Sequence, residues 1–240
     1  MTSENFGKNL SEYLKSQFDG FGACSLSYKT FDHYETWIKN QYHGQMKYLA
    51  DHLPAKANPQ AYFSGSFISA LVVLQKYTPH PRPLDCQTPF KVALYAQGED
   101  YHFWFKEKLQ KSANLLQTFW PDHSWLPCTD SSPLLERDLA AQAGLGWIGK
   151  NTCLINRKLG SFFFIGVLLT TLELADLQTL LATPSPIPYP PKDFFGQCNA
   201  CLKNCPTQAF ASARVLDARK CISYLTIEHR GEIPPELANE

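Results

Sequence analysis

Apolar residues recur at Leu10, Leu14 and Phe18 with Tyr13 alongside, and this helical spacing predicts a helix over residues 9–18. A second helix is predicted over 33–49. Residues 67–74 (FISALVVL) are short, apolar and followed by the turn-prone TPHPRP, which predicts a buried strand. Residues 91–96 predict either another strand or the lead into a long amphipathic helix over 101–120, ended by Pro121. Ser132 as N-cap and Pro133 at the first helical position predict a helix running to Ala143 and closed by Gly144. Residues 152–155 and 161–170 predict strands joined by a hairpin through 156–160. Helices and strands alternate only in part, so the fold class is α+β.

Five prolines in the eight residues 184–191 predict an extended connection. They divide the chain into residues 1–183, the proline-rich linker 184–191, and a small segment 192–240 that is too short to build much core unaided. A hydrophobic content of 44%, with 13% aromatic and only 18% charged residues, excludes general disorder. The polar N-terminus lacks the apolar stretch of a signal peptide, and the longest apolar run, 162–169, is too short to cross a bilayer. A soluble cytoplasmic monomer with no membrane partner is therefore expected. The formal net charge is zero, so any polyanion-binding surface must be local, and 192–240 carries six basic and six acidic residues without an evident patch.

Residues 144–151 (GLGWIGKN) satisfy G-x-G-x-x-G and come within one residue of a phosphate-binding loop. Those loops need a strand before the glycines and a helix after them, whereas the predicted order here is the reverse. Gly144 as a left-handed helix cap explains the glycine and leaves Lys150 and Asn151 unexplained. Of the eight cysteines, Cys24, Cys86, Cys128 and Cys153 are scattered, whereas Cys198, Cys201, Cys205 and Cys221 fall within 24 residues. Scattered cysteines in a reducing compartment behave as small buried hydrophobes. The clustered ones, with Pro206, fit the last three cysteines and the proline of the ferredoxin pattern C-x2-C-x2-C-x3-C-P, with Phe195 in place of its first cysteine. In that pattern Cys198 and Cys201 serve one [4Fe–4S] cluster and Cys205 a second, to which Cys221 would add a ligand. Four thiolates would also suffice for zinc, and unligated thiols are the third reading; the register and the Cys-Pro ending favour iron–sulfur ancestry.

Six ordered segments carry a resemblance: PLLERDLA from Pro133, GLGWIGKNT from Gly144, Cys-Pro-Thr from Cys205, LDARKCISYLTIE over 216–228, HGQMKYL from His43 and YAQGEDYH from Tyr95. Together they resemble epoxyqueuosine reductases over nearly the whole chain. The resemblance implies a cobalamin-binding, nitroreductase-like α/β sandwich domain followed by a ferredoxin-like iron–sulfur domain. It also implies reduction of epoxyqueuosine to queuosine in tRNA anticodons, with electrons passing from two clusters to cobalamin. An unidentified donor would supply those electrons. The family's proton donor corresponds to Asp130, for which a helix-start role is the competing reading. Tyr101 and His102 lie in a motif the family places by the active site, although such a pair at a helix start is also a structural feature. Cobalamin contacts are implied near Lys56, Ala93, Asp130, Leu154 and Ile165, and near Ser223 and Glu228 beside the second cluster.

The chain departs from the family in two places. Phe195 removes one cluster ligand, and the sequence stops at Glu240, before the run that supplies three more cysteines. A fragment of a longer protein is the expectation. The alternative is a corrinoid- or tRNA-binding relative that has lost electron transfer.

Overall fold

The computed structural model describes residues 3–63, 66–77, 93–182, 189–194 and 196–237, with side chains from residue 10 onward. Phe195, Cys86, most of the proline-rich linker and the start of the predicted 91–96 element lie outside the described residues. The chain runs through α1 (Ser3–Gln17), β1 (Gly20–Ser25), α2 (Phe31–Lys39), α3 (Lys47–Asp51), α4 (Leu53–Ala57), α5 (Pro59–Tyr62), β2 (Ser69–Lys76), α6 (Tyr101–Phe119), β3 (Trp125–Cys128) and α7 (Glu136–Gln142). It continues through β4 (Trp147–Ile148), β5 (Leu154–Ile155), β6 (Phe163–Thr170), α8 (Leu174–Leu181), α9 (Ala200–Lys203), β7 (Phe210–Ser212), β8 (Val215–Leu216) and α10 (Ile222–Ile227).

The main sheet has the order β1-β2-β6-β3, with every pair antiparallel. Side chains alternate across a strand, and β2 uses both faces. Ala70, Val72 and Leu74 pack with α7 residues Leu139 and Ala140, whereas Leu71 and Val73 pack with Leu10, Leu14, Leu109 and Leu177 from α1, α6 and α8. The sheet is thus the middle layer of three, which is why its central strand reads as an unbroken apolar run. Gly20–Ser25 was missed by periodicity because its glycines and small residues carry little hydrophobic signal. Trp125–Cys128 was masked by Pro127, which is tolerated because β3 is the sheet's edge.

Several predicted elements shift. The 33–49 helix is broken into α2 and α3 by a turn in which Gln41 and Gly44 take left-handed φ of 56° and 59°. At Gly44 a Cβ would lie 2.6 Å from the Tyr224 hydroxyl, so this turn is where α10 docks. The helix expected from Ser132 begins at Glu136, because residues 132–134 form a tight turn and the Leu134 carbonyl accepts from Lys56 Nζ at 3.0 Å. Residues Leu94–Ala96 form one turn of 3-10 helix rather than a strand. The 156–160 turn exists, bridged between Asn156 and Gly160, but its strands part: β5 pairs with β4, and β6 with β2 and β3. Gly144 is left-handed at φ 75°, as expected of a residue following a helix end.

The cysteine-rich segment shares its core with the rest of the chain. Ala218, Tyr224 and Leu225 pack against Trp37 and Met46. Trp37 Nε1 donates to the Leu216 carbonyl at 2.6 Å, and the Ala218 amide to the Tyr42 carbonyl at 2.8 Å. No helix among the described residues is long and apolar enough to cross a membrane.

Candidate functional site

Asp100 caps α6: its Oδ1 accepts from the His102 backbone N–H at 2.9 Å and lies 2.7 Å from His102 Nδ1. The other ring nitrogen, Nε2, lies 2.7 Å from Asp130 Oδ2. The imidazole is therefore held between two carboxylates, in the row Asp100, His102, Asp130. Partial burial opposes its charge, but the hydrogen bonds to Asp130 and Asp100 and their negative charges prevail and raise its pKa above the ordinary value. Asp100 moves the other way, held below the usual carboxylate range by its bonds from the His102 backbone and ring. In the imidazolium both ring nitrogens donate, which satisfies both carboxylates at once.

Tyr101 lies against this row. Its ring stacks on His102 at 4.1 Å between centroids and on Phe164 at 4.2 Å. Burial, then the charge of Asp130 and a hydrogen bond to it, push the phenol well above its ordinary pKa, so Tyr101 remains a donor.

Asp130 stands in the loop between β3 and α7 with a left-handed φ of 48°, a costly conformation that neighbours must hold in place. Its backbone N–H donates to Glu136 Oε1 at 2.7 Å, and the preceding residue is pinned by Thr129 Oγ1 donating to the Ile165 carbonyl at 3.0 Å. The helix-start reading of Asp130 fails on this geometry: α7 begins six residues later, and it is Glu136 that binds Asp130. Burial, and then the Asp130 charge, push the Glu136 carboxyl up to about 8, against the Asp130 N–H bond and the cations of Lys56 and Arg137. Lys56 is buried with its ammonium over the Tyr34 ring at 5.3 Å, and burial lowers it to about 8.

The remaining expected positions divide. Tyr48 Oη lies 3.4 Å from Glu228 Oε1, and its phenol is raised by burial first, then by Glu228, and last by Asp130. Tyr48 thus meets the end of α10 at Glu228. Ser223 is exposed on α10, and Ala93 is exposed just before the 3-10 turn. Leu154 is buried in the core, the Ile165 carbonyl is taken by Thr129, and Lys56 is turned toward Leu134. Asp100, Tyr48 and Glu136 are the residues that sequence reasoning missed. An aspartate directly before a strong helix pattern is a legible cap signal for Asp100; the other two lie far in sequence from what they touch, or inside a motif with no assigned role.

Lys150 belongs to the cysteine-rich segment rather than to a phosphate loop. Its Nζ donates to the carbonyls of Gly196 at 3.0 Å and Cys198 at 2.8 Å and to Asn199 Oδ1 at 3.0 Å. Cys201, Cys205 and Cys221 are half-buried and Cys198 is exposed. The Ala209 N–H donates to Cys205 Sγ at 3.3 Å, a bond suited to a thiolate. Among the described residues no three Cys, His, Asp or Glu are grouped as a metal site would need. The thiols fit iron–sulfur ligation in donor type and register, but not in number: a [4Fe–4S] cluster takes four ligands, and each set here has two among Cys198, Cys201, Cys205 and Cys221.

Residues 196–240 match the model of a 4Fe-4S double cluster binding domain, and residues 56–131 that of "Epoxyqueuosine reductase QueG, DUF1730". Fold and segment together define the class, an α+β protein carrying an iron–sulfur domain. The epoxyqueuosine reductase of Leadbetterella byssophila is 38% identical over 91% of this chain and 69% of its own length. That of Francisella cf. novicida is 38% identical over 97% of this chain. The chain belongs to the epoxyqueuosine reductase family. It spans 62% of the Francisella relative's length and 60% of each of two solved epoxyqueuosine reductase chains. Epoxyqueuosine reductase from Streptococcus thermophilus shares the fold at a TM-score of 0.76 and 20% identity, covering 98% of this chain. So does an epoxyqueuosine reductase crystallised with an epoxyqueuosine-modified tRNA stem loop, at 0.76 and 22% identity over the same share.

Proposed function

We propose that this protein reduces epoxyqueuosine to queuosine in the anticodon of tRNA, with Asp130 as the acid that protonates the departing epoxide oxygen. The observation that carries this reading is the 2.7 Å contact between His102 Nε2 and Asp130 Oδ2. A general acid must hold a proton where the substrate oxygen arrives. His102, with its raised pKa, is the proton source, and Asp100 fixes the ring so that Nε2 faces Asp130. A proton passes from Nε2 to Oδ2 and then to the epoxide oxygen, and Tyr101 donates to the same carboxylate to steady the negative charge that remains.

Iron–sulfur clusters would be held by Cys198 and Cys201 and by Cys205 and Cys221, and supply one-electron transfer when bound; the electron donor is a separate partner. Cobalamin, when bound, would supply two-electron reducing chemistry to the site. Ser223, Glu228 and Ala93, exposed or half-buried, would hold it, while Leu154 and Ile165 would offer packing or backbone contacts. Lys56 would act through the Leu134 carbonyl and the loop it supports. The expected architecture is the family's nitroreductase-like sandwich in 1–183 joined to the ferredoxin-like segment.

A second reading is favoured by Phe195: a corrinoid- or tRNA-binding relative without electron transfer. Cobalamin binding with no turnover under a strong chemical reductant would establish it. Conversion of epoxyqueuosine-containing tRNA under the same conditions, lost in Asp130→Asn, supports the reductase.

A further inference from the structure

β2 and β3 end, and β6 begins, at the same end of the main sheet. The Asp130 loop leaves β3 there, and a row of aromatic rings runs outward from it. Tyr101 stacks on His102 at 4.1 Å and on Phe164 at 4.2 Å. The Phe164 ring meets that of Tyr77 at 4.8 Å, and Tyr77 meets Phe162 edge-on at 5.9 Å. The backbone fixes this outer end, since the Tyr77 N–H donates to the Phe162 carbonyl at 3.2 Å.

The three successive phenylalanines have different surroundings. Phe163 is buried in the core on the α7 side, and Phe164 packs with the core on the α6 side. Phe162 remains 53% exposed, held by its neighbours yet open to a partner. The row is thus unbroken from the His102–Asp130 contact, through half-buried Tyr101, Phe164 and Tyr77, to an open ring at the surface. A polar reacting centre continuous with a flat apolar ring suits a ligand built the same way. Unpaired nucleotides of an RNA loop are such a ligand: their splayed bases stack on aromatic side chains, and every base has a face to offer. A ring so supported is ordered before its partner arrives, which lowers the entropy lost on binding.

We infer that Phe162 is a stacking residue for an unpaired base that flanks the modified nucleotide in the anticodon loop. The assignment rests on the tRNA reading of the Asp130 site and adds to it a contact that positions the loop. Because the ring makes no hydrogen bonds, the contact orients the loop and does not read its sequence.

The test is binding of an epoxyqueuosine-containing anticodon stem loop to the protein expressed from its full reading frame, followed by fluorescence anisotropy at one fixed salt concentration. Phe162→Ala is expected to weaken binding about fivefold or more, the lower end of one base–aromatic stack. Phe162→Leu keeps apolar bulk without the flat ring and is expected to weaken it too, whereas Phe162→Trp retains it; a merely structural role would not sort the variants in this order. Stem loops made abasic on either side of the modified nucleotide identify the stacked base. One of them is expected to bind the wild-type protein more weakly than the intact loop does, and Phe162→Ala no more weakly. Wild-type affinity in both Phe162→Ala and Phe162→Leu, or equal abasic penalties with and without the ring, overturns the inference and leaves the tRNA reading intact. So does a changed oligomeric state as the sole effect of Phe162→Ala, which would assign the ring to a contact between copies. Failure of the wild-type protein to bind the stem loop overturns both.

Discussion

His102 owes its charge to its two carboxylate neighbours, and that dependence can be measured. Because its folded pKa is raised, the interaction stabilises the protein fully below the unfolded histidine pKa and is lost as pH rises through the folded one. Asp100→Asn removes one of the two partners, so the His102 titration followed by NMR is expected to shift to lower pH; an unchanged midpoint would show that Asp100 does not set it. Asp130→Asn keeps the shape of the loop but removes the acid, and a loss of about 10²–10⁴ in turnover is expected, with tRNA affinity little changed. Glu136, pushed up to about 8 from an ordinary 4.5, binds more protons folded than unfolded between those values, so stability falls as pH rises across that window. Glu136→Gln is expected to flatten this fall in chemical denaturation, and a wild-type slope in the variant would rule out the assignment. Asp130 itself was legible from sequence only through its motif. Its supporting contacts were not, since Glu136 bonds it across a left-handed turn and His102 reaches it from the start of a separate helix.

At the scale of elements, the long helix Tyr101–Phe119 and the central strand followed directly from periodicity, because burial decides both. The break between α2 and α3 did not, because its cause is Tyr224, some 180 residues away in sequence, filling the space beside Gly44. Gly44→Ala adds a methyl group against that ring at a left-handed φ, and a destabilisation of more than about 1 kcal/mol is expected from the change in melting temperature. The start of α7 was misplaced for a similar reason. Ser132 and Pro133 are good local helix-start residues, but the turn at 132–134 and the bond from Lys56 to Leu134 direct that backbone elsewhere. Local propensity wins where nothing distant competes with it.

Over the whole molecule, the cysteine-rich segment is tied to the sheet domain through Trp37, Gly44 and Lys150 rather than resting on a core of its own. Those contacts explain why Lys150 follows the glycines, which the phosphate-loop pattern could not. Lys150→Met removes three hydrogen bonds to the 196–199 turn, so hydrogen exchange there is expected to accelerate while exchange in β2 stays unchanged. The cysteine register and the family were readable from the sequence, whereas the bonds from Lys150 to the 196–199 turn are a product of the fold alone. The central claim, reduction of epoxyqueuosine in tRNA, is tested most directly in cells lacking their own reductase that express the full reading frame of this protein. Nucleoside mass spectrometry of their tRNA is predicted to show queuosine replacing epoxyqueuosine, with the Asp130→Asn form leaving epoxyqueuosine in place. Epoxyqueuosine persisting undiminished with the wild-type protein present and loaded with its cofactors would contradict the account.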